Sequence, residues 1–195
     1  MRASALSIVE SSLLTVPLIR DRETAQRERL ERLIADEYRL VWRLLRRFGV
    51  PVSAVDDATQ QVFLVIAERL SEIKPESERA FAFGTALRVA QTLRRRAARE
   101  GGELVPEERM AQGPLPDELS DQRRACERLD RMLEQLPDEL RSVFVLFELE
   151  GMTSPEIAAL TGIALGTVAS RLRRARGQFR SLVAAQPSGS RDEQS

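Results

Sequence analysis

Arginine dominates the residues able to do chemistry, in two blocks. One holds Arg88, Arg94, Arg95, Arg96 and Arg99, the other Arg171, Arg173, Arg174, Arg176 and Arg180, and no acid interrupts either. Guanidinium groups at that density suit phosphate, since each neutralised backbone charge releases a counterion and adds affinity that does not depend on sequence. A third group sets two acids and two amides beside two apolar side chains: Asp56, Asp57, Gln60, Gln61, Phe63 and Leu64. Adjacent carboxylates on a helix point about 100° apart, and no nucleophile or phosphate loop accompanies them, so a carboxylate-based hydrolase is excluded. With a single cysteine, Cys126, and no histidine, the chain lacks the means for an internal disulfide, a thiolate or imidazole zinc site, or a histidine-dependent triad. No catalytic residue, metal site, cofactor or small-molecule substrate is expected.

These groups need elements to position them, and hydrophobic periodicity predicts helices throughout. Leu30, Leu33, Ile34, Tyr38, Val41, Leu45 and Phe48 form a one-sided stripe over Thr24 to Phe48, stopped by Gly49 and Pro51. A second helix is predicted from Ser53 to Leu70, with Val55, Ala58, Val62, Ile66 and Leu70 inward and Asp57, Gln60, Gln61, Leu64 and Glu68 outward. A third, Glu78 to Arg99, turns Phe81, Ala86, Val89, Ala90 and Leu93 inward and runs into the first arginine block. Three such helices make a small all-α domain over residues 24–99.

Residues 100–122 form a linker: five glycines and prolines fall between Gly101 and Pro114, Pro116 follows, and seven acids face the single Arg109. Helical periodicity resumes at Arg123, through Leu129, Met132, Leu133 and Leu136, and restarts as Glu139 to Leu149 after Pro137. Cys126 is expected to be a small core residue of this second domain, residues 123–185. The ends, 1–23 and 186–195, lack a clean period and are expected to be mobile. No export signal or membrane span is recognisable. Charged residues at 31% and hydrophobic ones at 43% suit a globular chain in water; the zero formal net charge conceals segregated blocks, and it is their distribution that DNA would meet.

Within the second domain, Thr153-Ser154-Pro155-Glu156 has the form of a capping box with proline in the first turn. Ile157, Ala158 and Leu160 face inward, Ala158 being small enough for a close helix crossing, and Thr161-Gly162 makes the turn. Val168, Leu172, Ala175 and Phe179 hold a second helix down. Thr167, Ser170, Arg171 and Arg174 then occupy its outer face, flanked by Arg173, Arg176 and Arg180. This is a helix-turn-helix whose second helix suits the major groove, with short polar residues toward base edges and cations toward phosphates.

Leu136-Pro-Asp-Glu-Leu-Arg141, Glu150-Gly-Met-Thr153, Glu156-Ile-Ala158 and Gly166-Thr-Val-Ala-Ser-Arg-Leu-Arg-Arg-Ala-Arg176 resemble region 4 of bacterial sigma-70-type initiation factors. Asp56-Asp57-Ala-Thr-Gln60-Gln-Val-Phe63-Leu resembles region 2. With a linker too short for a folded region 3, the resemblance is to the two-domain extracytoplasmic-function group. It implies two helical domains on a flexible linker and a cytoplasmic protein that is not an enzyme. It also implies core RNA polymerase, promoter DNA and an anti-sigma factor as partners. By resemblance, Asp56, Asp57, Gln60, Gln61, Phe63 and Leu64 bind core polymerase. Arg88, Thr92, Arg94, Arg95 and Arg96 serve the minus-10 element, and Thr167, Ser170, Arg171, Arg173, Arg174 and Arg176 the minus-35 element. Thr85 and Thr92 depart from the Trp and Asn usual in region 2, and Ala169 from the lysine often found in region 4. The competing reading is a stand-alone helix-turn-helix regulator that binds DNA without polymerase.

Overall fold

The computed structural model describes the backbone of residues 5–99 and 117–186 and the side chains of 24–99 and 124–186. Among the described residues every regular element is helical. Helices α1 (Ala5–Arg47), α2 (Val52–Arg69) and α3 (Glu78–Arg99) pack on one another pairwise to form the first unit. Val41, Leu44, Leu45 and Phe48 meet Val55, Ala58, Val62 and Ile66 from α2 and Ala82, Phe83, Ala86 and Ala90 from α3, all buried. α1 closes at Gly49, whose φ of 89° permits two reversed bonds, from Gly49 N to Arg46 O and from Val50 N to Leu45 O. These satisfy carbonyls that the helix end would otherwise orphan.

Three features depart from the sequence-based expectation. α1 begins at Ala5, well ahead of Thr24. The stretch that shows no clean amphipathic period nevertheless takes helical backbone, because periodicity reports a buried face rather than helix propensity. In α3, Phe83 and Leu87 are buried while Phe81 is only half-buried. At the other end of the linker, 117–122 belong to α4; 100–116 lie outside the described residues, as does the tail from 187.

The second unit comprises α4 (Asp117–Glu134), α5 (Asp138–Phe144), a π-helical turn continuing it over Val145–Leu149, α6 (Ser154–Thr161) and α7 (Leu165–Ala184). Its core joins Leu133, Leu136, Leu140, Val143 and Leu146 to Ile157, Val168, Leu172 and Ala175. Phe179 packs against Phe144 with ring centroids 4.7 Å apart and the rings tilted by 31°. The capping box is complete: Thr153 N donates to Glu156 Oε2 at 2.7 Å and Glu156 N to Thr153 Oγ1 at 3.4 Å. Gly162, at φ 72°, ends α6 in the left-handed conformation that the turn between α6 and α7 requires. Contrary to expectation, Cys126 is exposed: α4 packs through Leu129 and Leu133, which leaves Cys126 on its open side.

The two units touch. Leu160, expected to pack within its own module, places its Cγ 3.4 Å from where a Cβ on Gly84 of α3 would stand.

Candidate nucleic-acid and partner interfaces

α7 is held by one face. Val168, Leu172 and Ala175 are buried, so Leu165, Ala169, Ser170, Arg173 and Arg174 are exposed and Thr167 is half-exposed. The outer face is less uniformly cationic than the sequence implies. Arg171 donates to Glu139 at 2.8 Å. Arg176 donates to Glu148 at 2.6 Å and lies over the Phe147 ring at 5.0 Å. Arg173 and Arg174 form no ion pair among the described residues. The Ser170 hydroxyl donates to Thr167 O at 3.0 Å, leaving its oxygen free to accept from the N–H group of a base. All six expected minus-35 residues therefore lie on one helix, two of them neutralised by acids of their own domain.

On α2, Asp56, Asp57, Gln60, Gln61 and Leu64 are exposed, and Leu64 retains 65% of its accessible surface. Asp56 accepts from the Trp42 indole at 2.8 Å, which fixes the acidic end of this face against α1. Phe63 is the correction. It is buried, stacked beneath Tyr38 of α1 at 6.1 Å between centroids, because position 63 follows Val62 round the helix into the groove between α1 and α2. It supports the face from below. Tyr38, itself 38% exposed, takes its place at the surface; sequence reasoning assigned Tyr38 to the core stripe, and only the helix crossing could have shown otherwise.

The expected minus-10 residues divide. Arg88, Arg95 and Arg96 are exposed. Thr92 turns its hydroxyl to Arg88 O at 2.9 Å, and Thr85 is buried and donates to Phe81 O at 2.8 Å. Arg94 departs most from expectation. It donates to Phe48 O at 3.2 Å, pairs with Asp138 of the second unit, and is unavailable to DNA in this arrangement. Desolvation, with the neighbouring Arg141 charge second, lowers its pKa to about 10; at neutral pH it keeps its proton. Among the described residues no group of histidine, cysteine and carboxylate side chains could hold a metal ion, and no helix is long and apolar enough to cross a membrane.

Two family models match these surfaces: Sigma-70 region 2 over residues 33–100 and Sigma-70 region 4 over 126–179. Among relatives, the ECF RNA polymerase sigma factor SigE of Mycolicibacterium smegmatis is 30% identical over 74% of this chain and 57% of its own length. CnrH of Cupriavidus metallidurans is 31% identical over 72% of this chain and 78% of its own. The ferric citrate uptake sigma factor FecI of Escherichia coli is 35% identical over 62% and 70%. The solved structure of CnrH with the cytosolic domain of CnrY aligns at a TM-score of 0.62, 26% identity, 83% of this chain and 91% of that one. A Bartonella quintana RpoE solved with the anti-sigma factor NepR shares the fold at 0.61 and 18% identity, over 80% and 98%. With a region 2 surface, a region 4 helix-turn-helix and these relatives, the chain belongs to the extracytoplasmic-function group of sigma-70 RNA polymerase sigma factors, the proteins that direct core polymerase to promoters.

Proposed function

We propose that the exposed α2 face of Asp57, Gln60, Gln61 and Leu64, anchored by Asp56 and underpinned by Phe63, docks core polymerase. The outer face of α7 reads the minus-35 element, with Thr167 and Ser170 toward base edges and Arg173 and Arg174 on phosphates. Arg88, Arg95 and Arg96 track the strand near the minus-10 element, joined by Arg94 once it is released. Buried Thr85 has no part in that contact, and Thr92 meets DNA only by giving up its bond to Arg88. No bond is made or broken by the chain, which acts in the cytoplasm. The observation that carries this reading is the presence, on one chain, of an outward α2 face holding a 65%-exposed leucine and a recognition helix with free arginines. A regulator acting alone has no use for the former.

CnrH was solved with the cytosolic domain of CnrY, and RpoE with the anti-sigma factor NepR; an anti-sigma factor that covers the α2 and α7 faces is the corresponding partner here. The test is run-off transcription with purified core enzyme on genomic promoter fragments. Transcripts that depend on the added chain and disappear with Asp57→Arg and Gln60→Ala support the reading. Tight polymerase-free binding to a palindrome with no transcript overturns it.

A further inference from the structure

α7 presents two parallel ridges to solvent. Leu165, Ala169 and Arg173 stand four residues apart along one, and Gly166, Ser170 and Arg174 along the other; all six are exposed. Both ridges end, toward the C-terminus of the helix, in an arginine that has no acid partner among the described residues. On the second ridge Ser170 keeps a hydroxyl oxygen for a base N–H. At the same level the first ridge is apolar, and neither a phosphate contact nor a hydrogen bond to a base accounts for it.

Leu165 is not drawn into the core. It and Ile163 flank Ala164, the N-cap of α7; Ile163 packs against the core cluster, whereas Leu165 keeps 52% of its accessible surface. A single exposed leucine is ordinary on a protein surface, but this one has uncommon neighbours. Ala164 beside it is exposed, and a Cβ on Gly166 would meet nothing within 4 Å. The first turn of the helix therefore carries little bulk. Its backbone can come close to the floor of a groove, and Leu165 is the large side chain with reach there.

Thymine is the base that presents a methyl group in the major groove; cytosine, the other pyrimidine, presents an amino donor. Side chains four residues apart on a helix have their Cβ atoms about 5–6 Å apart, so a methyl carbon about 4 Å from each settles into the notch between them. We propose that the notch between Leu165 and Ala169 reads the 5-methyl group of one thymine in the minus-35 element, while Ser170 hydrogen-bonds a neighbouring base. Seating the methyl group removes apolar surface from water on both sides and is worth about three- to fivefold in affinity. A cytosine at the same place would turn its amino group toward Leu165 and Ala169, which offer no side-chain acceptor, and would be rejected more strongly.

This inference rests on the function proposed above for α7, and the test tells the two apart. A duplex carrying the minus-35 element is selected from random sequence by the chain bound to core polymerase. Each thymine on either strand is then replaced in turn by deoxyuridine, which deletes the methyl group and keeps every hydrogen bond. One replacement should weaken binding about three- to fivefold for the wild type and less than about 1.5-fold for Leu165→Ala, the two changes being coupled as in a double-mutant cycle. Should Leu165→Ala not fold, Ala169→Lys, whose longer side chain fills the notch from its other side, takes its place with the same expectation. A scan in which no deoxyuridine matters, or in which the penalty is as large in the variant as in the wild type, overturns the notch. If Arg173→Gln with Arg174→Gln still weakens binding in that case, the α7 reading stands without it. If that double variant binds the selected duplex as the wild type does, α7 is not the reading helix and both fall together.

Discussion

Arg173 and Arg174 carry a quantitative consequence for binding at the minus-35 element. Each exposed arginine that neutralises one phosphate contributes about 0.9 to the slope of log affinity against log salt. At about 0.15 M salt that release is worth about 1 kcal/mol per contact, or roughly fivefold in affinity. Arg173→Gln with Arg174→Gln should therefore weaken the complex of the chain, core polymerase and a minus-35 duplex about thirtyfold and flatten the slope by about 1.8. Arg171 differs. Its guanidinium already faces Glu139 at 2.8 Å, so moving to a phosphate exchanges one anion for another, and Arg171→Gln should change the slope by less than about 0.5. Fluorescence anisotropy across a salt series measures all three. A full slope change for Arg171→Gln with none for the double variant would refute the docking face deduced from Val168, Leu172 and Ala175.

Three further outcomes follow from the packing. Phe63→Ala should cost about 3–5 kcal/mol of stability in thermal or urea unfolding, whereas Leu64→Ser, at an exposed position, should stay within about 0.5 kcal/mol and lose core-polymerase binding in a pull-down. Removing the cap with Thr153→Ala should destabilise the second unit by about 1 kcal/mol, read as a lower Tm with the fold unchanged. The Thr153 backbone N–H, and then its hydroxyl, hold the Glu156 carboxyl below the ordinary range. That stabilisation is complete above the unfolded pKa of about 4.3 and is lost as pH falls through the lower folded value. The Tm advantage of wild type over Glu156→Gln should accordingly shrink as pH falls below about 4.3; an advantage that does not change with pH through the acid range would show that the carboxylate is not the cap.

Much of this architecture is legible in local pattern. The bounds of α3, the capping box, the Gly162 turn and the Val168, Leu172, Ala175 stripe are all properties of a few adjacent residues, which is the range over which periodicity and capping act. The misreadings involve partners distant in sequence. Arg94 and Asp138 are 44 positions apart, and nothing in the arginine block distinguishes the member that turns inward from Arg95 and Arg96. Phe63 enters the polymerase-binding set through the resemblance alone, and no local pattern reveals that Tyr38 of another helix will cover it. Cys126 looked buried because its neighbours Ala125 and Leu129 are apolar, yet only Leu129 faces the core. The α2 and α7 faces were legible as surfaces because each lies opposite a continuous apolar stripe.

Glu139 and Glu148 bear on how the chain searches for its site. Each holds a recognition-helix arginine in place while adding a negative charge beside the reading face, and the chain as a whole carries no formal net charge. A duplex that offers only phosphates must compete with these carboxylates for Arg171 and Arg176 and is repelled by them once displaced. If α7 is the DNA-reading helix proposed above, residence on DNA that offers phosphates alone is expected to be brief, and the pool left in solution is the one that polymerase would draw on.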